Sequence, residues 1–385
     1  MSKSIAVVGM QWGDEGKGKV VDFLAEDCSV SVRFNGGNNA GHSVETKEFG
    51  RKKVHLLPSS SFRKGMTSVL GNGMVLDLDV LRREIEYVKT VNPNLDLIID
   101  PRIHTISEEH KTRDAAEENS RKVQIGTTRS GNGPAYSDKY ARKGKRLCDL
   151  INENDPLYKY FGDVPRYLDG VRKSGKGIIF AGAHGILLDI DYGDYPYCTS
   201  SNCIPSAIGT GAGYDTRNLT EVVGVVKAYS TRVGSGPFLA EFDTARGNEI
   251  RDIGKEYGTT TGRPRKIGAL DLPLLHQAIN VSHPDYLVMT MSDVLSCLDE
   301  VPVAIAYDGE IDPLLPLNTQ MHRVNKVTYA WFKGWKGIDI SECKEESDLP
   351  KSLIFFLYSI SHNLGTRIKY LSTGPRRDQM IELGG

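Results

Sequence analysis

Charge imbalance is nearly absent: 48 Lys and Arg stand against 49 Asp and Glu in 385 residues, a formal net charge of −1. With no basic excess, nothing argues for nucleic-acid binding through bulk electrostatics. Cysteine is sparse. Cys28, Cys148, Cys198, Cys203, Cys297 and Cys343 include no CxxC pair and no metal-ligand spacing, so they read as reduced, mostly structural thiols of a cytoplasmic protein. No apolar stretch approaches the roughly 20 residues of a membrane span. The first apolar run is short and breaks off at Gln11-Trp12-Gly13-Asp14, so no secretory leader is expected. Internal repeats and low-complexity tracts are also missing.

Glycine, by contrast, is abundant. The 40 glycines exceed the usual share of about 7%, and they cluster at 9–18, 36–41, 126–133, 182–185, 209–213 and 234–236. Clustered glycine brings backbone close to something, although ordinary tight turns account equally for any one cluster. The first is the most informative. Residues 9–19 read Gly-Met-Gln-Trp-Gly-Asp-Glu-Gly-Lys-Gly-Lys, directly after the apolar run Ile5–Val8 and before the helically spaced Val21, Phe23 and Leu24. Strand, Gly-rich turn, Lys and helix make a phosphate cradle of backbone N–H groups, a helix N-terminus and a point charge. The spacing is not that of the ordinary P-loop, which has four residues between its first Gly and the Gly-Lys and a following Ser or Thr. Here six residues separate Gly9 from Gly16, and Gly18 takes the Ser/Thr place. Asp14 sits inside the loop, where an acid is repelled by phosphate unless it binds a metal or handles a proton.

Short apolar runs at 4–9, 29–34, 68–71, 97–100, 177–181, 223–228, 286–291 and 302–307 alternate with helical patterns at 78–90, 107–121, 270–281 and 350–362. The alternation predicts an α/β fold: one large domain over 1–385, with a mostly parallel central sheet flanked by helices, a P-loop-like phosphate site, extra loops and small subdomains. The segments 143–175 and 240–256 read as polar surface. Ligands of such sheets sit at the carboxyl ends of strands, so the loops 9–18, 36–41 and 182–185 are expected to surround one site.

Further motifs follow in order: Asn35-Gly-Gly-Asn-Asn-Ala-Gly-His42, Gln124–Tyr136 with its Thr-Thr pair, Gly182–Asp191 leading to Tyr195–Asn202, Ser230–Phe238, Gly258–Lys266 with two Arg forks, Thr290–Leu295, and Ser372–Pro375. Each is weak alone. In this order and with these residues they closely resemble the adenylosuccinate synthetase family, over about residues 4 to 375. The most specific pieces are Gln11–Lys19, Asn39–His42, Tyr195–Asn202, Ser230–Phe238 and Thr260–Arg263.

The resemblance implies a ligase that condenses IMP with L-aspartate while GTP becomes GDP and phosphate, with one Mg²⁺ per site. It implies Asp14 as the base that removes the purine N1 proton and as a metal ligand together with Gly41, and His42 as a general acid beside the transferring phosphoryl. The GTP phosphates would lie against Gly13, Glu15, Gly16, Lys17, Gly18, Gly41, His42 and Ser43, and the guanine against Met291, Asp293, Ser372 and Gly374. IMP would meet Asp14, Asn39, Thr128, Arg142, His184, Thr199 and Val233. Arg142 would come from the partner of a homodimer; from the residues alone it reads as a solvated face of a basic run. Aspartate would be held by Thr260, Thr261, Arg263 and Arg265.

Departures from the family pattern are Met291 where Lys is usual, His184 where Gln is usual, Arg129-Ser130 for Gly-Arg, and a short Leu150–Lys176 stretch that gives the chain a compact form. His184, near purine O6, would serve as a catalytic donor, neutral or as imidazolium. Met291 leaves GTP against ATP open, with Asp293 favouring guanine. Two alternatives stand: a 2-aminoadenylosuccinate variant acting on (deoxy)guanylate, which the intact Asp14 disfavours, and a non-catalytic nucleotide-binding regulator, which would have no reason to keep Asp14, Lys17, His42 and Arg263.

Overall fold

Nine strands build the central sheet of the computed structural model, which describes residues 3–258 and 262–384. In chain order they are β1 (Ser4–Gly9), β2 (Val30–Arg33), β3 (Thr67–Leu70), β4 (Asp96–Ile99), β5 (Ile178–Gly185), β6 (Glu221–Lys227), β7 (Tyr286–Thr290), β8 (Ile368–Ser372) and β9 (Met380–Glu382). Their spatial order is β9-β8-β7-β6-β1-β5-β2-β3-β4. All pairs are parallel except β8 with β9. A parallel strand covered on both faces must be apolar throughout, and all six residues of β1 are buried. Ile5 and Val7 pack on one side with Val20, Val21 and Leu24 of helix α1 (Lys17–Leu24). Ala6 packs on the other side with Phe180, Leu168 and Ile208.

Most expected strands and helices appear within a few residues, and the differences have physical reasons. Helix α1 begins at Lys17 rather than near Val20, because Gly16 takes a left-handed φ of 80° and caps it. The run 302–307 lies outside the central sheet. It belongs to Glu300–Gly309, which pairs antiparallel with Val324–Lys333 and forms a three-stranded sheet with Leu270–Asp271. The segment 240–256 is a helix, Thr244–Gly254, followed by the fully buried Glu256, and not merely polar surface. A small antiparallel hairpin, His42–Thr46 with Gly50–Val54, rises beside the phosphate loop.

The loop after β2 is held by backbone lying on backbone. Gly71 donates to the Arg33 carbonyl at 2.8 Å, Gly73 to Gly211 at 2.9 Å and Val75 to Gly36 at 3.0 Å. A Cβ on Gly211 would overlap the Phe34 carbonyl. The Gly211→Ala variant is therefore expected to lose about 1–3 kcal/mol of stability through overpacking, measured by urea unfolding. An unchanged midpoint would show that this stack is loose.

Candidate functional site

After β1 the chain turns through Gly13 (φ 86°), Asp14 (φ 61°) and Gly16 (φ 80°) before entering α1. Left-handed residues so close together curl the backbone into an anion-binding nest. Glu15, sitting between them, is fully buried. Its Oε1 accepts the N–H groups of Gln11 at 3.0 Å and Gly13 at 2.8 Å, and its Oε2 accepts Lys17 Nζ at 2.6 Å. Side chains at Gly9 or Gly185 would collide with this carboxylate. The expectation that Glu15 faces the phosphates therefore needs correcting for its side chain. The carboxylate turns inward, where three donors hold it, and braces the loop from behind.

The loop opens onto a cavity of about 620 Å³, within the range of small-molecule sites. It lies at the carboxyl ends of the central strands. Its wall contains Gly13, Asp14, Gly16, Lys17 and Gly18; Asn39, Gly41, His42 and Ser43; Thr128, His184, Thr199 and Val233; Arg265; and Met291, Asp293, Ser372 and Gly374. Arg142 is exposed and outside the cavity. Arg263 also lies outside it, donating to the carbonyls of Gly126 at 3.4 Å and Thr127 at 3.2 Å. Thr260 and Thr261 fall outside the described residues.

Four residues of this wall each carry a buried side-chain polar atom with no protein partner among the described residues: Asn39 Oδ1, Thr127 Oγ1, Asn132 Oδ1 and His184 Nε2. Buried polar atoms are normally satisfied, and these exceptions gather around one cavity. Four of its non-glycine residues, Asp14, His184, Lys255 and Met291, have positive φ of 61°, 59°, 50° and 59°. Such strained backbone gathers at functional sites.

The electrostatics divide the titratable groups. Burial, then the nearby Arg33 and Lys17, hold His184 down at about 3. This favours the neutral imidazole over the imidazolium. His42 is also pushed well below its ordinary value, by burial and then by Arg33. Arg33 is fully buried at the end of β2, and its Nη1 lies 2.9 Å from His42 Nδ1 and 3.1 Å from Nε2. One ring nitrogen accepts from the guanidinium, leaving the other N–H to donate. Asp14 pairs with Arg265, Nη2 to Oδ2 at 2.9 Å. Arg265 is anchored behind by buried Glu256, which also accepts Lys227 Nζ at 2.9 Å and the Tyr229 hydroxyl. Two acids and two bases make the cluster neutral overall.

The family model described as adenylosuccinate synthetase matches residues 6–161 and 153–381. The chain belongs to the adenylosuccinate synthetase family. It is 38% identical to adenylosuccinate synthetase of Caldicellulosiruptor bescii, over 99% of each chain. It is 39% identical to that of Thermoplasma acidophilum, over 99% of this chain and 98% of the relative. Fully ligated adenylosuccinate synthetase from Plasmodium falciparum has the same fold, with a TM-score of 0.92 and 34% identity over 99% of each chain. Succinoaminodeoxyadenylate synthetase of cyanophage S-2L, solved with dGMP and dATP, covers this whole chain at a TM-score of 0.72. At 21% identity it attests the fold alone. Adenylosuccinate synthetases are ligases of purine biosynthesis, and binding of GTP and magnesium is characteristic of them. The two matched segments meet at 153–161, inside the Leu150–Lys176 stretch.

Sequence reasoning passed over Arg33, Glu256 and Lys227. Arg33 carried a signal, a lone cation closing the apolar run of β2. Glu256 and Lys227 carried none, since their pairing is tertiary. Two outcomes test the electrostatics. Glu15→Gln leaves Lys17 buried beside a neutral partner and should cost about 3–5 kcal/mol in urea unfolding; a loss below about 1 kcal/mol would mean a solvated pair. His184 stays neutral in the folded chain but protonates once unfolded. It therefore favours the fold above its ordinary value of 6.5 and penalises it as pH falls from there toward 3. Unfolding at about pH 7 and about pH 5 should show His184→Gln losing less stability on acidification than the parent chain. Equal losses would place a charge on His184 in the fold.

Proposed function

We propose that this chain condenses IMP with L-aspartate to adenylosuccinate, converting GTP to GDP and phosphate through 6-phosphoryl-IMP. The observation that carries the reading is Asp14, an acid held at positive φ on the wall of a phosphate-cradling cavity, with Arg265 on one carboxylate oxygen. Asp14 takes the N1 proton of the purine, and the electron pair moves onto O6. O6 attacks the γ-phosphorus and GDP departs. The aspartate amine then adds to C6, and phosphate leaves with the former O6. Positioning and charge neutralisation dominate such transfers.

His184 and His42 flank this chemistry as neutral hydrogen-bond donors, His184 toward O6 and His42 toward the phosphoryl group. Anionic substrates raise the basicity of both when they bind. The nest residues with Lys17, Gly41 and Ser43 receive the phosphates, and Asn39, Thr128, Thr199 and Val233 receive IMP. Asp293 accepts from guanine N–H groups, with Met291, Ser372 and Gly374 around the base. Arg265, held from behind by Glu256, stays beside Asp14 when a substrate carboxylate arrives; Arg263, Thr260 and Thr261 complete that site. Mg²⁺ fits the donors present. The Asp14 carboxylate and the Gly41 carbonyl are hard oxygens on the cavity wall, and Mg²⁺ is typically held by one or two protein oxygens plus phosphates. When bound it neutralises phosphate charge. We read the chain as one catalytic domain, cytoplasmic, working as a homodimer to which the exposed Arg142 contributes across the interface.

Asp14→Asn is expected to lower aspartate-dependent phosphate release by about 10²–10⁴-fold while GTP still binds by calorimetry. A variant keeping a tenth of the parent rate would remove Asp14 from this role. In a panel of IMP and GMP, each with GTP and with ATP, the pair IMP and GTP should turn over fastest. A preference for GMP would support the 2-amino reading instead.

A further inference from the structure

Lys19 has no part in the scheme above, yet it is one of the most constrained cations in the chain. It sits two residues after Lys17 on α1, is 7% exposed, and lines the same cavity. Its Nζ donates to Ser372 Oγ at 2.7 Å, the Gly374 carbonyl at 2.6 Å and the Gln379 carbonyl at 2.7 Å. Those three bonds use every ammonium hydrogen. The cation thereby fastens Ser372, at the end of β8, and Gly374, in the loop after it, onto the helix that follows the phosphate loop. A second tie holds the far end of the same loop. Asp22, also on α1, pairs with Arg377, with Nη2 at 2.9 Å from Oδ1.

Asp293 lines the same cavity and, among the charges around Lys19, acts on it most strongly, ahead of Asp378, Arg376 and Glu45. Burial raises its pKa; backbone hydrogen bonds to the carboxylate and the Lys19 cation oppose the rise, and Asp339 adds to it. The influence is mutual, since burial draws Lys19 down to about 7 and Asp293 pulls it back up. Position 291 brings no charge; the Met291 sulfur lies 3.7 Å from the Tyr229 hydroxyl.

We propose that Lys19 determines base specificity: it positions the Ser372–Gly374 wall and supplies the charge that keeps Asp293 an acceptor for a purine with adjacent N–H donors. The inference rests on the reading of Asp293 as the guanine-binding acid. A base offering an acceptor at that edge gains nothing from an ionised Asp293, so Lys19 discriminates between GTP and ATP without touching either. The Asp22–Arg377 tie holds the far end of the loop separately, so removal of Lys19 frees the Ser372–Gly374 wall more than it unfolds the chain.

The test compares kcat/KM for GTP and for ATP, at saturating IMP and aspartate, in four proteins: the parent, Asp293→Asn, Lys19→Met, and Lys19→Met with Met291→Lys. Melting temperature and IMP binding serve as checks on folding. Lys19→Met should raise KM for GTP by about tenfold or more, the worth of a lost charge-assisted contact, with kcat nearly unchanged and KM for ATP little affected. Adding Met291→Lys returns a cation to the neighbourhood of Asp293 and should recover much of the GTP preference. Equal rises in KM for both nucleotides, or failure of the double variant to recover the preference, would overturn the proposal by reducing Lys19 to a structural tie. If Asp293→Asn collapses the GTP/ATP ratio while Lys19→Met does not, this inference alone fails. If Asp293→Asn leaves the ratio unchanged, the reading of the base site fails first. Should Lys19→Met not fold, Lys19→Gln, which keeps an amide donor and removes the charge, enters the same comparison.

Discussion

The Glu15 carboxylate bound to Lys17 and to the amides of Gln11 and Gly13 is the contact on which the site depends. A charge with no solvent exposure must be paired and hydrogen-bonded, and the loop can meet that demand only by wrapping around it. Wrapping forces left-handed backbone at Gly13, Asp14 and Gly16. That backbone places Asp14 on the cavity wall, starts α1 at Lys17, and leaves the first amides of the helix facing the same space. The requirement extends into the sheet. Gly9 of β1 and Gly185 of β5 pair in register, and neither has room for a side chain beside Glu15.

Around this brace the site stores charge in neutral assemblies. Lys17 is matched by Glu15, Asp14 by Arg265, and Arg265 and Lys227 share Glu256. The two cavity histidines are kept neutral beside Arg33 and Lys17. These cations are already oriented by buried partners, so on the proposed reading little reorganisation accompanies phosphate binding.

Legibility in the sequence followed the range of the interactions. The phosphate loop, the central strands and most helices are local patterns, and they were readable from apolar period and glycine placement. So was the convergence of the loops 9–18, 36–41 and 182–185 on one cavity, since strand ends dictate it. The inward turn of Glu15 was not readable, because an acid in a phosphate loop looks alike whether it faces ligand or core. Arg265 on Asp14 and Lys19 on Gln379 join residues far apart in the chain and leave no local trace. The helix Thr244–Gly254 was hidden because only Gly247 and Ile250 are buried on it. Strand Val324–Lys333 was hidden because it is largely open to solvent.

The central claim is that a carboxylate among phosphate-binding amides lets the purine oxygen take the γ-phosphoryl before the amine arrives. It is tested most directly by oxygen scrambling in GTP labelled at the β,γ-bridge, with IMP present and aspartate left out. The account predicts that the label moves to the non-bridging β positions, that the movement requires IMP, and that Asp14→Asn abolishes it. Scrambling without IMP, or undiminished scrambling in Asp14→Asn, would contradict it.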